Sequence, residues 1–406
     1  MASGAHQTRD KKPRLLVLAS TYPRWAGDYE PGFVHELSKR LTPHFTVRVL
    51  CPHARWAAVR EDLDGVEVVR FRYAPSFMET LVNHGGMLQN LKKNPFKAVL
   101  LPFFGIMQIV YTLVQLIRYK PDVIHAHWIV PQGFCIYLAK VLTRSKAPFL
   151  LTSHGADLFA LNGRLFQMLK SLVVRNASFV TVVSQTMIGK VRDLGANGRR
   201  VQVVPMGVDL TNVFIPSNDP KKKFEILFVG RLVEKKGVKY LVEAMVTVGA
   251  SFPKALLRIV GYGPEEEALR NRVAELGLSN HIEFSGAVSH ENLPKMYQRA
   301  NIFVAPFVEA EGGDQEGFGL VLVEALGCGC KLVVTEMPAT KDSLDDVSVV
   351  SIVPQRNIDA LAAAINFQLE RGAELRCFER SRLVNRFDWE SIADTYATIL
   401  KDIQVS

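Results

Sequence analysis

Short apolar runs alternate along the chain with longer stretches in which apolar residues recur every three or four positions. The short Val/Ile/Leu-rich runs read as buried strands and the longer stretches as amphipathic helices. In the first half, strands are predicted at 14–20, 46–52, 66–72, 122–128, 148–154, 179–184 and 201–206, with helices at 31–42, 98–119, 131–143, 163–175 and 185–194. The pattern breaks near 207–223, GVDLTNVFIPSNDPKKK, where Pro, Asn, Asp, Ser and a lysine triplet mark an exposed linker. It then restarts, with strands at 224–230, 255–261, 281–286, 301–307, 331–335 and 350–354 and helices near 236–248, 264–277, 291–299, 318–327 and 357–370. Apolar strands separated by helices imply parallel sheets covered on both faces. The expected architecture is α/β: two consecutive Rossmann-like domains, 1–215 and 224–386, a linker at 216–223 and a closing segment at 387–406. In open α/β sheets ligands sit beyond the carboxyl ends of the strands, so the cleft shared by two such domains is the default site.

One segment departs from this alternation. Between Lys97 and Arg118 lie 20 uncharged residues, AVLLPFFGIMQIVYTLVQLI. That length can span a bilayer. However, Gln108, Thr112 and Gln115 recur at i, i+4 and i+7 and form a polar stripe that Gly105 extends by a turn. A lipid-facing span does not need such a stripe, whereas a helix lying on a surface or packed on a domain does. Lys92, Lys93 and Lys97 precede the segment, and Arg118 and Lys120 follow it. A packing helix, contact with a membrane surface and a span all stay open, with the stripe weighing against the span.

Charge sharpens the division. The 406 residues carry 49 Lys+Arg and 40 Asp+Glu, a net charge of +9. Residues 1–200 hold 27 basic and 12 acidic residues and 201–406 hold 22 and 28, so the halves carry +15 and −6. The front half is expected to meet something anionic. Five scattered cysteines do not make a disulfide framework and suggest a reducing compartment. Cys328-Gly-Cys330 is too tight for the usual zinc spacing. The apolar run after the basic N-terminus is too short for a signal peptide.

Candidate chemistry gathers at the predicted strand ends. Gly230-Arg231 closes one strand, and Lys235-Lys236-Gly237 opens the following helix, so a strand end, a helix N-terminus and two or three cations make a phosphate cradle. Gly261-Tyr262-Gly263 starts like a dinucleotide fingerprint, but Glu266 stands where its last glycine belongs, so an oxidoreductase reading fails. Gly261 and Gly263 are expected to let a loop approach a ligand. In Glu316-Gly-Phe-Gly-Leu-Val-Leu-Val-Glu324 two glutamates stand eight apart. The glycines leave the backbone bare before a helix, and Glu324 is expected two turns in, on the side of Glu316. In the front half, Ser153-His154-Gly155-Ala156-Asp157 closes a strand, and His125 and His127 close another. Histidine can bind sugar hydroxyls or carry a proton. His125 and His127 are read as facing opposite sides of their strand, against a shared metal. The loop with Gly27 and Gly32 is a candidate donor or acceptor loop.

Together these residues resemble a family 4 glycosyltransferase of the GT-B fold. The resemblance runs from Ser20-Thr21-Tyr22-Pro23 to Phe387-Asp388-Trp389 and is most specific in GRLVEKKG, GYGPEEEAL and EGFGLVLVEAL. It implies that Arg231 and Lys236 hold a donor diphosphate, with backbone N–H groups of Gly319 and Leu320. It implies that Glu316 contacts the donor sugar near the anomeric centre, Glu324 the ribose hydroxyls, and His154 the sugar from the other domain, Glu316 and His154 being the catalytic pair. It further implies a retaining transfer from a nucleotide-diphosphate sugar to a glycan or polyprenyl-diphosphate-linked acceptor, with no cofactor and no metal, and a final helix, 387–406, that returns to the first domain. The front half's positive charge then points to an anionic acceptor or membrane. The expected location is the cytoplasm, with peripheral contact on the cytoplasmic face of the membrane. Rival readings are another GT-B enzyme, such as a nucleotide-sugar epimerase, and a basic nucleic-acid-binding protein, for which no motif speaks. Three stretches depart from the family pattern: the acidic run Glu309–Gln315, Met337-Pro338-Ala339 and Cys330-Lys331.

Overall fold

The computed structural model describes residues 12–28, 32–83, 86–159, 163–311, 315–316, 319–337, 340, 344, 347–372 and 375–405. Outside them lie Tyr29 to Pro31 of the Gly27–Gly32 loop, Gly312 to Asp314 of the acidic run, Gly317, Phe318, Pro338 and Ala339.

The chain forms two compact units: one of residues 1–183, 187–204 and 393–406, the other of 184–186 and 205–392. The division falls at 204/205 instead of the expected 215, because the stretch read as leading into a linker is anchored in the second unit. Leu210 and Phe214 are fully buried there, and Gly327 is bare because a side chain would meet both of them. Lys222, expected in the linker, already begins a strand. The expected return of the chain end is present: residues 393–406 of the closing helix, Trp389–Val405, group with the first unit.

The first unit's sheet comprises β1 (Arg14–Leu18), β2 (Thr46–Pro52), β3 (Arg60–Leu63), β4 (Val66–Phe71), β5 (Val123–His127), β6 (Phe149–Ser153), β7 (Phe179–Val182) and β8 (Val201–Val203). Its spatial order is β3-β4-β2-β1-β5-β6-β7-β8. All neighbours are parallel except β3 and β4. β3 has no counterpart in the expected strands, since Arg-Glu-Asp-Leu lacks an apolar run. Its signal was the turn: Asp64 and Gly65 both take positive φ, the Asp-Gly chemistry of a tight hairpin. A short charged strand also suits a sheet edge, where it discourages pairing with other chains.

The second unit's sheet comprises β9 (Lys222–Val229), β10 (Leu256–Val260), β11 (Ile282–Gly286), β12 (Ala300–Ala305), β13 (Lys331–Thr335) and β14 (Val350–Val353), in the order β11-β10-β9-β12-β13-β14, all parallel. Successive residues of β9 enter opposite cores. Ile226 and Phe228 pack with Leu241, Met245 and Ile365, whereas Leu227 and Val229 pack with Leu322, Leu326 and Phe387. That is the pleat's period of two.

In each sheet the strand order reverses once, between β1 and β5 and between β9 and β12. Beyond the carboxyl ends at such a reversal the flanking connections part to opposite faces and leave room for a ligand. Four of the five cysteines are buried and reduced, and Cys377 is exposed.

Candidate active site

In the second unit the expected donor residues converge at the β9/β12 reversal. β9 ends at Val229, and Arg231 follows as an exposed residue whose guanidinium has no partner among the described residues. A single 3-10 turn, Glu234–Lys236, then leads through Gly237 into the helix Val238–Ser251. Gly237 takes φ +63, and a Cβ there would lie 1.9 Å from the Pro306 carbonyl oxygen just past β12. Only glycine lets the two strand ends come this close. Val308 N–H donates to the Lys235 carbonyl at 3.0 Å and ties the same two loops.

This packing places Lys236 at the ends of both strands. Its Nζ lies 2.8 Å from Glu316 Oε2 and 4.4 Å from the centre of the Phe307 ring. Both members of the ion pair are largely shielded from water. Gly319, in the left-handed region at φ +71, caps the helix Leu320–Gly327, and Leu320 supplies one of the first-turn N–H groups that a helix leaves without internal partners. Glu324 lies little more than one turn into this helix, not two, since Glu316 and Gly319 precede it. Glu324 Oε2 accepts a hydrogen bond from Tyr297 Oη at 2.9 Å. Burial pushes the Glu324 carboxyl up to about 7, against the pull of Tyr297 and the nearby Lys236 charge. Arg231, Lys236, Glu316, Gly319, Leu320 and Glu324 therefore surround one strand-end region. The sequence did not single out Tyr297 or Phe307. Tyr297 sits in an unremarkable run, and Phe307 ends a predicted strand.

Gly261 and Gly263 have a different task from the one expected. A Cβ on Gly261 would lie 1.8 Å from the Gly230 carbonyl oxygen, and one on Gly263 would lie 2.2 Å from that of Leu232. The glycines admit the chain's own Arg231 loop, which Leu232 N–H pins by donating to the Tyr262 carbonyl at 3.0 Å.

In the first unit the β1/β5 reversal carries Ser20, His127 and Trp128, with Gln132 one turn on; Gln132 Nε2 donates to Ser20 Oγ. His125 and His127 are both buried, with ring centroids 4.1 Å apart. Residues two apart on a strand share a face, so the expectation of opposite faces is corrected. His125 Nε2 is 2.7 Å from Thr152 Oγ1, and His127 Nδ1 is 3.0 Å from His154 Nε2. Burial drives the His125 and His154 rings down to about 3 and His127 well below its ordinary value, so all three are neutral at physiological pH. The His154 ring also rests 4.9 Å from Phe33 and 5.0 Å from Trp128, centre to centre.

Asp157 holds this loop together. It accepts from Ile129 N–H at 2.7 Å, Ser153 Oγ at 2.9 Å and His154 N–H at 3.2 Å, and burial raises its pKa despite these bonds. Gly27 turns at φ +77 inside a loop closed by the Arg24–Asp28 ion pair at 2.6 Å. Gly32 caps the helix Phe33–Arg40, its carbonyl accepting from Glu36 N–H at 2.8 Å.

Two parallel α/β sheets, each with polar side chains at its own strand-order reversal, are the frame of the GT-B glycosyltransferases. Two solved structures have this fold. Sucrose-phosphate synthase from Thermosynechococcus elongatus aligns over 97% of this chain and 100% of its own, with TM-score 0.74 and 20% identity. Anabaena Alr3699/HepE in complex with UDP aligns over 96% and 100%, with TM-score 0.70 and 18% identity. Residues 33–207 match the glycosyl transferase 4-like domain and residues 211–382 match glycosyl transferases group 1. Among relatives, a phosphatidyl-myo-inositol mannosyltransferase of Mycolicibacterium smegmatis is 29% identical over 281 residues, 67% of this chain and 69% of the relative. A glycogen synthase of Mycobacterium tuberculosis is 27% identical over 295 residues, 69% of each. The chain belongs to the family 4 glycosyltransferases and is a hexosyltransferase.

Proposed function

We propose that this chain is a retaining, metal-independent hexosyltransferase that moves a sugar from a nucleotide-diphosphate donor to a glycan or lipid-linked acceptor. The observation that carries this reading is the shielded Lys236–Glu316 pair at the β9/β12 reversal, with exposed Arg231 following the same strand end. A departing nucleoside diphosphate gathers negative charge, and prepositioned cations and helix N–H groups stabilise it without reorganisation. Arg231, Lys236 and the first turn of Leu320–Gly327 fill that role. Glu316, held by Lys236, faces the sugar, and Glu324 accepts from the ribose hydroxyls.

In the transfer the bond from the anomeric carbon to the phosphate oxygen breaks and its electron pair leaves with the diphosphate. The acceptor oxygen bonds to the same face, and its proton passes to the departing phosphate. No separate base is required. Neutral His154 serves as a hydrogen-bond partner for a sugar hydroxyl. The relatives support the substrate classes: one is named for transfer of mannose to phosphatidyl-myo-inositol, another for glycogen synthesis, and HepE was solved with UDP.

A nucleotide-sugar panel read by thermal shift, followed by NMR of the product's anomeric configuration with and without EDTA, tests the reading. A stabilising nucleotide sugar and a retained configuration that EDTA leaves unchanged are expected. An inverted product, loss of turnover in EDTA, or conversion of the donor without any acceptor would overturn it.

A further inference from the structure

The helix Leu100–Arg118 is built inside out for a water-soluble domain. Its polar stripe is the buried one: Gln108, Thr112 and Gln115 face the protein with Phe104 and Leu116. Gln115 Oε1 accepts from Arg48 Nη1 of β2 at 3.0 Å, and Thr112 Oγ1 donates back to the Gln108 carbonyl at 2.7 Å. The opposite side presents Val99, Phe103, Ile106, Val110, Val114 and Ile117, spaced by 4, 3, 4, 4 and 3. Each of the six is exposed; Phe103 and Ile106 are 57% exposed. Phe96, at 88%, extends the stripe at its start. The neighbouring helix Phe134–Thr143, which packs along this one, adds exposed Val141 and Leu142. A helix in water turns its apolar stripe inward, and an apolar band of this extent on a surface marks an interaction site.

The charges around the band identify what covers it. No Asp or Glu lies between Glu79 and Asp122. Lys92 and Lys93 are exposed on the helix before the band, and Arg118 and Lys120 are exposed at its far end. A second copy of the same face would bring these cationic ends against each other or against apolar side chains. An anionic bilayer accepts both features: hydrocarbon takes the stripe and headgroup phosphates take the cations.

We propose that the first unit docks flat on an anionic bilayer through the outward face of Leu100–Arg118, with the polar stripe turned to the protein and no part of the helix crossing the membrane. This surface is separate from the donor site, and donor binding by the same variants distinguishes the failure of one reading from that of the other.

The test is co-sedimentation of the full chain with vesicles of phosphatidylcholine mixed with phosphatidylglycerol, against vesicles of phosphatidylcholine alone. The wild type is expected to pellet with the mixed vesicles at low salt, to be partly released by added salt, and to be fully released by alkaline carbonate. Phe103→Ser with Ile106→Ser and Val110→Ser should lower vesicle affinity at least about tenfold. Removing Lys92, Lys93 and Arg118 as serines should lower it about fivefold per charge, the equivalent of about 1 kcal/mol each. Because these side chains face outward, both variants should keep the wild-type melting temperature and nucleotide-sugar binding, which separates lost docking from lost folding. Four results would overturn the proposal. The wild type could stay in the supernatant with mixed vesicles, or the serine variants could pellet as well as the wild type. Binding could resist carbonate, which would make the helix a span. The wild type could form a dimer in lipid-free buffer that the apolar variant dissociates, which would make the face a contact between copies.

Discussion

The two units solve the same topological problem with opposite electrostatics. At the β1/β5 reversal, His127 and His154 form a pair without charge, and His125 lies beneath it; burial keeps all three rings deprotonated. At the β9/β12 reversal, Lys236 and Glu316 hold a full ion pair beside Glu324, a carboxyl poised near neutrality. Under the proposed function, the first arrangement suits neutral hydroxyls and the second a developing anion. Net charge runs the other way, since residues 1–200 are strongly basic and 201–406 are acidic. The shielded charge at the β9/β12 reversal is placed by a few residues. The front half's surplus is spread over its surface, and part of it rims the apolar helix.

Acid should separate the units most strongly. A histidine held neutral takes up its proton only in the unfolded chain, so its stability contribution is present above about pH 6.5 and is lost as pH falls toward 3. The two rings driven down to about 3 should together cost the first unit several kcal/mol by about pH 4.5, and His127 acts in the same direction. Hydrogen exchange should show β5 and β6 losing protection before β9 and β12 as pH falls; simultaneous loss would break the contrast. Next in size is Gly261→Ala. A Cβ placed 1.8 Å from the Gly230 carbonyl oxygen forces the two loops apart, at about 3–5 kcal/mol by thermal melting.

Lys236→Ala should lower kcat/KM by about 10- to 150-fold, the worth of a charge-assisted hydrogen bond of about 1.5–3 kcal/mol. Arg231→Ala should fall in the lower part of that range because it is exposed to water. Near-wild-type turnover in both variants would remove the cradle. The smallest effect concerns Glu324. Its folded pKa, about 7, lies above the ordinary 4.5, so the folded chain holds the extra proton across that window and stability falls as pH rises through it. The ceiling is about 3 kcal/mol, and partial access of water brings it nearer to about 1 kcal/mol. Glu324→Gln should flatten this slope between pH 5 and 8 in denaturant titrations; an unchanged slope would assign it to another group.

Most of the fold was legible because a parallel sheet writes itself as apolar runs. The predicted strands recur within a few residues of their observed ends, and β3 escaped because an edge hairpin needs no such run. Arg231, Lys236, Glu316 and Glu324 were legible as a motif. Their arrangement was not, since the Lys236–Glu316 bond and the Tyr297 contact join positions far apart in the chain. Gly261 and Gly263 mislead in a general way: a bare backbone announces a close approach without saying whether a ligand or the protein itself comes near. In Leu100–Arg118 the polar stripe is legible in the sequence, but periodicity alone does not say which side faces inward.

The closing helix has a consequence for how the protein is made. Tyr396 reaches Thr152 and Thr181 of the first unit, with its ring 5.3 Å from His125, yet it is synthesised after the whole second unit. At about 5–20 residues per second, the ribosome needs about 10–40 s to travel from 205 to 392. Throughout that interval the nascent first unit waits for its last piece. The unit translated first is therefore the one completed last, and a ribosome stalled anywhere in the second half leaves the histidine layer uncovered.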